Sequence, residues 1–321
     1  MRVFVFGDAN ADITVGWADA EKGIKRLPPA NRRLLSRGMA ESRRTKADVE
    51  HYLPRRDKGL SEFFNSLNPR VELGGCGAIK AHAMASLGHK VVLFSWVGDD
   101  ENGRMILDGL SSAGVDVSHV LVKGKTCETY NLFDPKEKRL AISHWEQRSD
   151  LSGFIRLAGK EKPDIVLLTG AHRIKRGLGY AKLPGAFVFT GSFASYTKKE
   201  LVAKYEADFS SGILVANDAE VMQLSGAADP LSGIGFLPNS MIVLHGRDLT
   251  AVKRGSHIVA ASTGKVDRSK LVELTGIGDV WEAVFLSEVG NLKAVSEKRL
   301  LASMKVATKA AKKRMLIGRF P

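Results

Sequence analysis

Six short apolar runs, each closed by glycine or asparagine, constrain this chain more than any other feature. They are RVFVFG (2–7), KVVLFSWVG (90–98), DIVLLTG (164–170), AFVFTG (186–191), GILVAN (212–217) and SMIVLHG (240–246). Continuous apolar runs of this length suit strands buried on both faces. Helical patterns separate them at 77–88, 101–113, 197–207, 217–225, 279–289 and 296–316. The alternation predicts a doubly wound, mainly parallel α/β sheet flanked by helices, with ligands beyond the carboxyl ends of its strands. Residues 120–145 differ: they read as two or three strands about a turn at Asp134-Pro135-Lys136. A small antiparallel β flap or lid is expected there, joined by the segment after Asp12. Residues 20–63 show no clean periodicity and read as an insertion, helical at 59–67. The expected organisation is a single domain over 1–321, with 13–70 and 120–146 contributing lid and insertion segments.

Composition removes several classes. The two cysteines, Cys76 and Cys127, cannot build a disulfide framework or a four-cysteine zinc site. No apolar run approaches the roughly 18–20 residues that span a bilayer, and the N-terminal run lacks the pattern of a signal peptide. A cytoplasmic protein with no membrane partner is therefore expected. The net charge of +13 is concentrated: residues 19–63 carry +5 and residues 293–321 carry +8. In the tail, Leu300, Leu301, Met304, Val306, Ala307, Ala310 and Ala311 fall at helical spacing, with lysines opposite. Both segments read as solvated surfaces, and their scarcity of aromatics argues against nucleic acid as a partner.

The most informative segment is Thr275-Gly276-Ile277-Gly278-Asp279-Val280-Trp281-Glu282. Two glycines mark a tight turn and an apolar helical pattern follows. A turn of this kind leaves backbone N–H groups unpaired at a helix start, where the helix dipole adds positive charge. The result is a cradle for a phosphate or a developing anion. Asp279 beside it can accept a proton from an attacking hydroxyl. A purely structural reading makes Asp279 a first-turn residue favoured by the dipole. Trp281 in place of a third glycine excludes the dinucleotide fingerprint, and no GxxxxGK[ST] occurs.

TGIGDVWEAVFL (275–286) resembles the C-terminal signature of the ribokinase-like (PfkB-type) carbohydrate kinases, T-G-A-G-D-x-F-x-A-G-F. Three more segments resemble that family in the same order. GDANAD (7–12) is similar to its N-terminal strand-end motif. Gly74-Gly75-Cys76-Gly77-Ala78, running on to GVDVSHV, is similar to its Gly-Gly loop and first signature. ANDAEVMQLSG (216–226) is similar to its N-x-x-E element. The resemblance implies a ribokinase-like fold and phosphoryl transfer from ATP or ADP to an alcohol. It implies Asp279 as catalytic base and Gly276, Ile277 and Gly278 as anion-hole amides. Asp12, Gly74 and Gly75 would face the acceptor. Asn217, Glu220, His245 and Gly246 would face the nucleotide, with Glu220 organising Mg2+ through water.

Departures from the family pattern are Glu273 for Asp, Ile277 for Ala, Val284 for Gly, Ile79 for a substrate Asn, and Leu249 for the second glycine of the nucleotide loop. The bulkier Ile277, His245-Gly246, SFAS (192–195) and the enlarged segment before the Gly-Gly loop are similar to the family's ADP-dependent archaeal branch. His144, Arg148, Arg173, Lys175 and Arg176 are candidates for an acceptor-phosphate site, with a solvated basic loop as the alternative. The expected acceptor is a sugar or sugar phosphate. A nucleoside kinase is the first alternative, and a non-catalytic scaffold binding nucleic acid or a partner through its basic segments is the second. A homodimer formed through the flap stays open.

Overall fold

The computed structural model describes residues 1–321 except 46–48, 54, 134–138, 145–150, 170–185, 191–211, 240, 267–270, 272–274, 291–293 and 318–321. The first part of the chain forms β1 (Arg2–Phe6), β2 (Asn10–Gly16), α1 (Trp17–Gly23), α2 (Pro29–Thr45), β3 (Val49–Leu53), α3 (Lys58–Asn65) and β4 (Arg70–Gly74). Next come α4 (Cys76–Ser86), β5 (Lys90–Val97), α5 (Glu101–Ser112), β6 (Val115–Val122), β7 (Glu128–Phe133), β8 (Arg139–His144), α6 (Leu151–Glu161) and β9 (Ile165–Thr169). The remainder forms β10 (Ala186–Thr190), β11 (Ile213–Ala216), α7 (Asp218–Ser225), α8 (Pro230–Phe236), β12 (Met241–His245), β13 (Leu249–Arg254), β14 (His257–Ser262), α9 (Ile277–Val289) and α10 (Glu297–Ile317).

All six apolar runs are strands of one nine-stranded sheet, ordered β14-β13-β12-β11-β10-β9-β1-β5-β6. Every pairing from β6 to β12 is parallel, and β13 and β14 extend it as an antiparallel hairpin. Strand alternation explains the continuous hydrophobicity. In β1, Val3 and Val5 enter a core with α4, α9 and α10, while Phe4 and Phe6 enter a core with α6, α7 and α8. The tail helix buries Leu300, Met304, Ala307 and Ala311 as its spacing predicts, whereas Val306 is exposed. None of the described helices is long and apolar enough to cross a membrane.

The second sheet is larger than the flap expected from 120–145. It has five strands in the order β3-β8-β7-β2-β4. It is also mixed rather than antiparallel: β2 pairs with β7, and β3 with β8, in parallel. The reason is connectivity, since its strands come from well-separated stretches of chain and parallel neighbours require long connections. The insertion supplies β3 and three helices that cover one face. Trp17, Leu35, Leu60 and Phe64 pack there with Ile13, Val15, Tyr130 and Leu132. The expected helix at 59–67 is α3, capped by Asp57, whose side chain accepts from Leu60 N at 2.9 Å. Helix α2 was not expected. Its buried stripe runs Asn31, Leu35, Gly38, Met39 and Ser42, too polar to register as an apolar period. The turn at 134–136, the helix at 197–207, SFAS (192–195) and Glu273 lie outside the described residues.

Candidate active site

Helix α4 is the element that joins the two sheets. Its entry, Gly74-Gly75, comes off β4, and Gly75 has φ +90°, a backbone region open mainly to glycine. Ala78 N donates to Asp8 O at 2.8 Å, which pins the helix to the end of β1. Gly77 makes that approach feasible, because a Cβ there would sit 2.6 Å from Gly7 Cα. On the β2 side, a Cβ on Gly74 would press into the Asp12 carboxylate, and one on Gly75 would stand 2.6 Å from Asn10 Oδ1.

Those contacts place the acceptor candidates. Asn10 Nδ2 donates to Asp12 Oδ1 at 2.9 Å and to Thr129 Oγ1 at 2.9 Å, and Thr129 and Ser143 hydroxyls lie 3.1 Å apart. The strand register puts Asn10, Asp12, Thr129 and Ser143 on the face away from α1–α3. His144 is one residue further on, so it falls on the helix-covered face with Leu140 and Ile142. It is therefore not placed with Asp12. The other members of the suggested acceptor-phosphate site, Arg148, Arg173, Lys175 and Arg176, lie outside the described residues.

The turn forms as the two glycines predict. Gly276 is the N-cap of α9 at φ +70°, with no side chain capping it. The first bond closing the helix is Val280 N to Gly276 O at 3.0 Å, so the amides of Ile277, Gly278 and Asp279 precede it. Ile79 of α4 packs on the turn: a Cβ on Gly276 would sit 2.8 Å from Ile79 Cδ1. A Cβ on Gly278 would sit 3.0 Å from His245 Cε1. Ile79 thus places an apolar side chain against the glycine turn.

Asp279 is buried and contacts the ammonium of Lys80. Lys80 Nζ also lies 3.1 Å from Glu282 Oε2. Glu282 accepts from Thr190 Oγ1, and its Oε1 lies 2.8 Å from His245 Nε2. His245 stacks on Trp281, which stacks in turn on Phe285. Burial raises the Asp279 carboxyl above the usual range; Lys80 opposes this and Glu282 reinforces it. Burial alone would push Glu282 up as well, but Lys80 and His245 hold it below the usual range. Burial works to lower His245, and Glu282 outweighs it, so the imidazole is held above its ordinary value. Burial, with the Asp279 carboxylate beside it, pushes the Cys76 thiol up, which leaves it an inert neutral group.

Asn217 and Glu220 form a capping box at the start of α7. Asn217 Oδ1 accepts from Glu220 N at 3.0 Å, and Glu220 Oε2 accepts from Asn217 N at 2.9 Å. Glu220 is close enough to His245 to raise its basicity. The turn after β12 is tied to the same helix start, since Asp218 Oδ2 accepts from Arg247 N at 2.8 Å and a Cβ on Gly246 would press on Asp218. His245 is turned to Glu282 and Trp281. Among the described residues no three His, Cys, Asp or Glu side chains form a metal cage. Magnesium that arrives on nucleotide phosphates keeps several waters and needs only one or two protein carboxylates. Glu220, buried at a helix start beside this turn, fits that demand.

Lys80, Glu282 and Thr190 were not singled out in the sequence. A signal was present. Lys80 is the one charge in CGAIKAHAMAS, and Glu282 stands inside VWEAVFL. A lone lysine and a lone glutamate within apolar helices must find partners when buried.

The parallel sheet, the helices on both faces and the second sheet define a ribokinase-like α/β fold. The chain superposes on adenosine kinase from Schistosoma mansoni in complex with 2-fluoroadenosine with a TM-score of 0.72, at 15% identity, covering 98% of this chain and 95% of that one. It superposes on a putative ribokinase from Agrobacterium tumefaciens with a TM-score of 0.62, at 17% identity, covering 99% and 92%. Residues 65–162 match the pfkB family carbohydrate kinases, and the solved structures add likeness of fold. The bifunctional protein HldE of Geobacter sulfurreducens is 24% identical over 246 residues, 67% of this chain and 46% of that protein. The chain spans about half the length of this curated relative.

Proposed function

We propose that this protein transfers a phosphoryl group from ATP or ADP to a hydroxyl of a sugar or sugar phosphate. The observation that carries the proposal is the bridge made by α4. Its glycine entry touches Asn10 and Asp12, and its first turns touch Gly276 and Asp279. A polar side-chain cluster and a glycine turn bearing a carboxylate are thus both held against one helix.

Asp12, steadied by Asn10, accepts hydroxyls of the acceptor. Asp279 takes the proton of the attacking hydroxyl. The acceptor oxygen bonds the terminal phosphorus, and the bond to the nucleotide's leaving oxygen breaks with its electron pair. The amides of Gly276, Ile277 and Gly278, joined by that of Asp279, donate to the oxygens of the group in flight. Glu220, through water, and Asn217 would hold Mg2+ beside the donor, where the ion supplies charge neutralisation to the phosphates. Gly246 and the turn after it border the nucleotide.

The face bearing Asp12 favours a polyol over a nucleobase. In register across the sheet, Asp12 stands between Glu72 of β4 and Thr129 of β7, with Ser143 of β8 and then Tyr52 of β3 beyond, so its nearest neighbours are polar and the Tyr52 ring is three strands away, on the order of 14 Å. Phe133, on the same face, lies four residues beyond Thr129, on the order of 13 Å along the strand. The arginines of α2 lie at exposed positions, as do most basic residues of α10, whereas Arg314 is buried.

A thermal-shift and phosphotransfer screen with ATP, ADP, sugars, sugar phosphates and nucleosides tests the proposal. Turnover with a sugar or sugar phosphate is expected. Asp279→Asn should then lose about 10²–10⁴-fold in kcat while still binding nucleotide. Near-normal turnover in that variant removes Asp279 from its role, and turnover with nucleosides alone replaces the acceptor class.

A further inference from the structure

Lys80 has no task in the reaction as described, yet its side chain is fully buried against the proposed base. Burying an ammonium is costly, several kcal/mol per ion before pairing, and apolar side chains would fill the same space more cheaply. Its surroundings are built to hold it. Its Nζ contacts Asp279 Oδ1 on one side and lies 3.1 Å from Glu282 Oε2 on the other. Glu282 is itself fixed by Thr190 and by His245. Two carboxylates face two cationic groups, so the cluster is neutral with His245 protonated. Glu282 and His245 satisfy one another, which leaves the charge of Lys80 to serve Asp279. Lys80 is also one turn from Cys76 and follows Ile79, the residue lying on Gly276, so its helix fixes the carboxylate and the anion turn together.

We propose that Lys80 is a positioning residue for phosphoryl transfer: it acts through Asp279, aiming that carboxylate at the acceptor side of the anion turn and keeping it an anion until the hydroxyl arrives. Glu282, anchored by Thr190 and His245, holds Lys80 back when the donor phosphates enter. The proposal rests on Asp279 being the base.

The test uses the full chain with the donor and acceptor found by the screen. Lys80→Gln leaves the cluster with one uncompensated negative charge, so the charge-balanced Lys80→Gln/Glu282→Gln double variant is the second arm. The expected result in the double variant is a cooperative melt, a fall of about 10²-fold in kcat with little change in KM, and nucleotide affinity near that of the parent. The acid limb of the kcat profile should move to higher pH, because Asp279 has lost its nearest cation. The groups facing Asp279 are Lys80 and Cys76 from α4, Glu282 from its own helix, and His245 and Asp8 further out. Only the loss of Lys80 predicts an upward move. Removal of the Glu282 charge alone predicts the reverse, and Glu282→Gln serves as that control. A folded double variant with parental kcat and an unmoved limb overturns the proposal. Near-normal turnover in Asp279→Asn instead overturns the reading beneath it, so the two failures are distinguishable.

Discussion

Glu282→Gln gives the sharpest test of the buried charge cluster as a structural unit. The substitution keeps the size of the side chain and an oxygen for Thr190, and removes one negative charge. Lys80 keeps Asp279 as a partner, but His245 then faces an amide. Removing one member of a buried pair costs about 3–5 kcal/mol. With Lys80 still paired, the lower end applies, about 3 kcal/mol, against a stability of about 5–15 kcal/mol for an ordinary domain. With an m-value of about 3 kcal/mol/M in urea, the unfolding midpoint should fall by about 1 M, read by circular dichroism and intrinsic fluorescence. Adding Lys80→Gln to this variant should cost less than the same change made in the parent protein, by at least about 1 kcal/mol, because the charges are removed together. A midpoint within about 0.3 M of the parent, or strictly additive costs, refutes the idea that these four side chains share their charge.

Two further outcomes follow from the same geometry. His245 is held above its ordinary value, so its pairing stabilises the fold below pH about 6.5, and that stability is lost as pH rises through the raised folded value. The gap in melting temperature between the parent and His245→Gln should therefore be widest in mild acid and shrink on the alkaline side; a gap independent of pH contradicts a charged imidazole. Gly77→Ala puts a methyl 2.6 Å from Gly7 Cα and 2.9 Å from Asp8 N, both backbone. It should cost at least about 1–3 kcal/mol and reduce turnover by pushing α4 off β1; unchanged melting and turnover together show that α4 has room to move.

The main sheet was legible because its strands are apolar on both faces and end in Gly or Asn: RVFVFG and GILVAN need no context to be read. The glycine turn was legible for a related reason, since Gly276 must take a backbone conformation that few residues accept. The second sheet was not. Its strands alternate polar with apolar side chains, as in Asn10-Ala11-Asp12-Ile13, and β3 joins from an insertion whose helices carry thin, partly polar stripes. Pairing partners so distant leave no local trace. Asn217 and Glu220 were read toward the nucleotide, and the structure shows the capping box they also form. Lys80 carries no local sign of its role, because its partners Asp279 and Glu282 lie on another helix. A buried cation is defined by what lies across from it, here residues two hundred positions away.

The helices laid over the second sheet have a consequence for how the protein exists at low concentration. An open β-sheet with one greasy side would require a twin to keep that side dry, and dilution would strip the twin away. Here the wrapping is intramolecular, supplied by Trp17, Leu35, Leu60 and Phe64. Its local concentration is set by chain length, so the sheet that carries Asp12 keeps its backing however rare the molecule becomes.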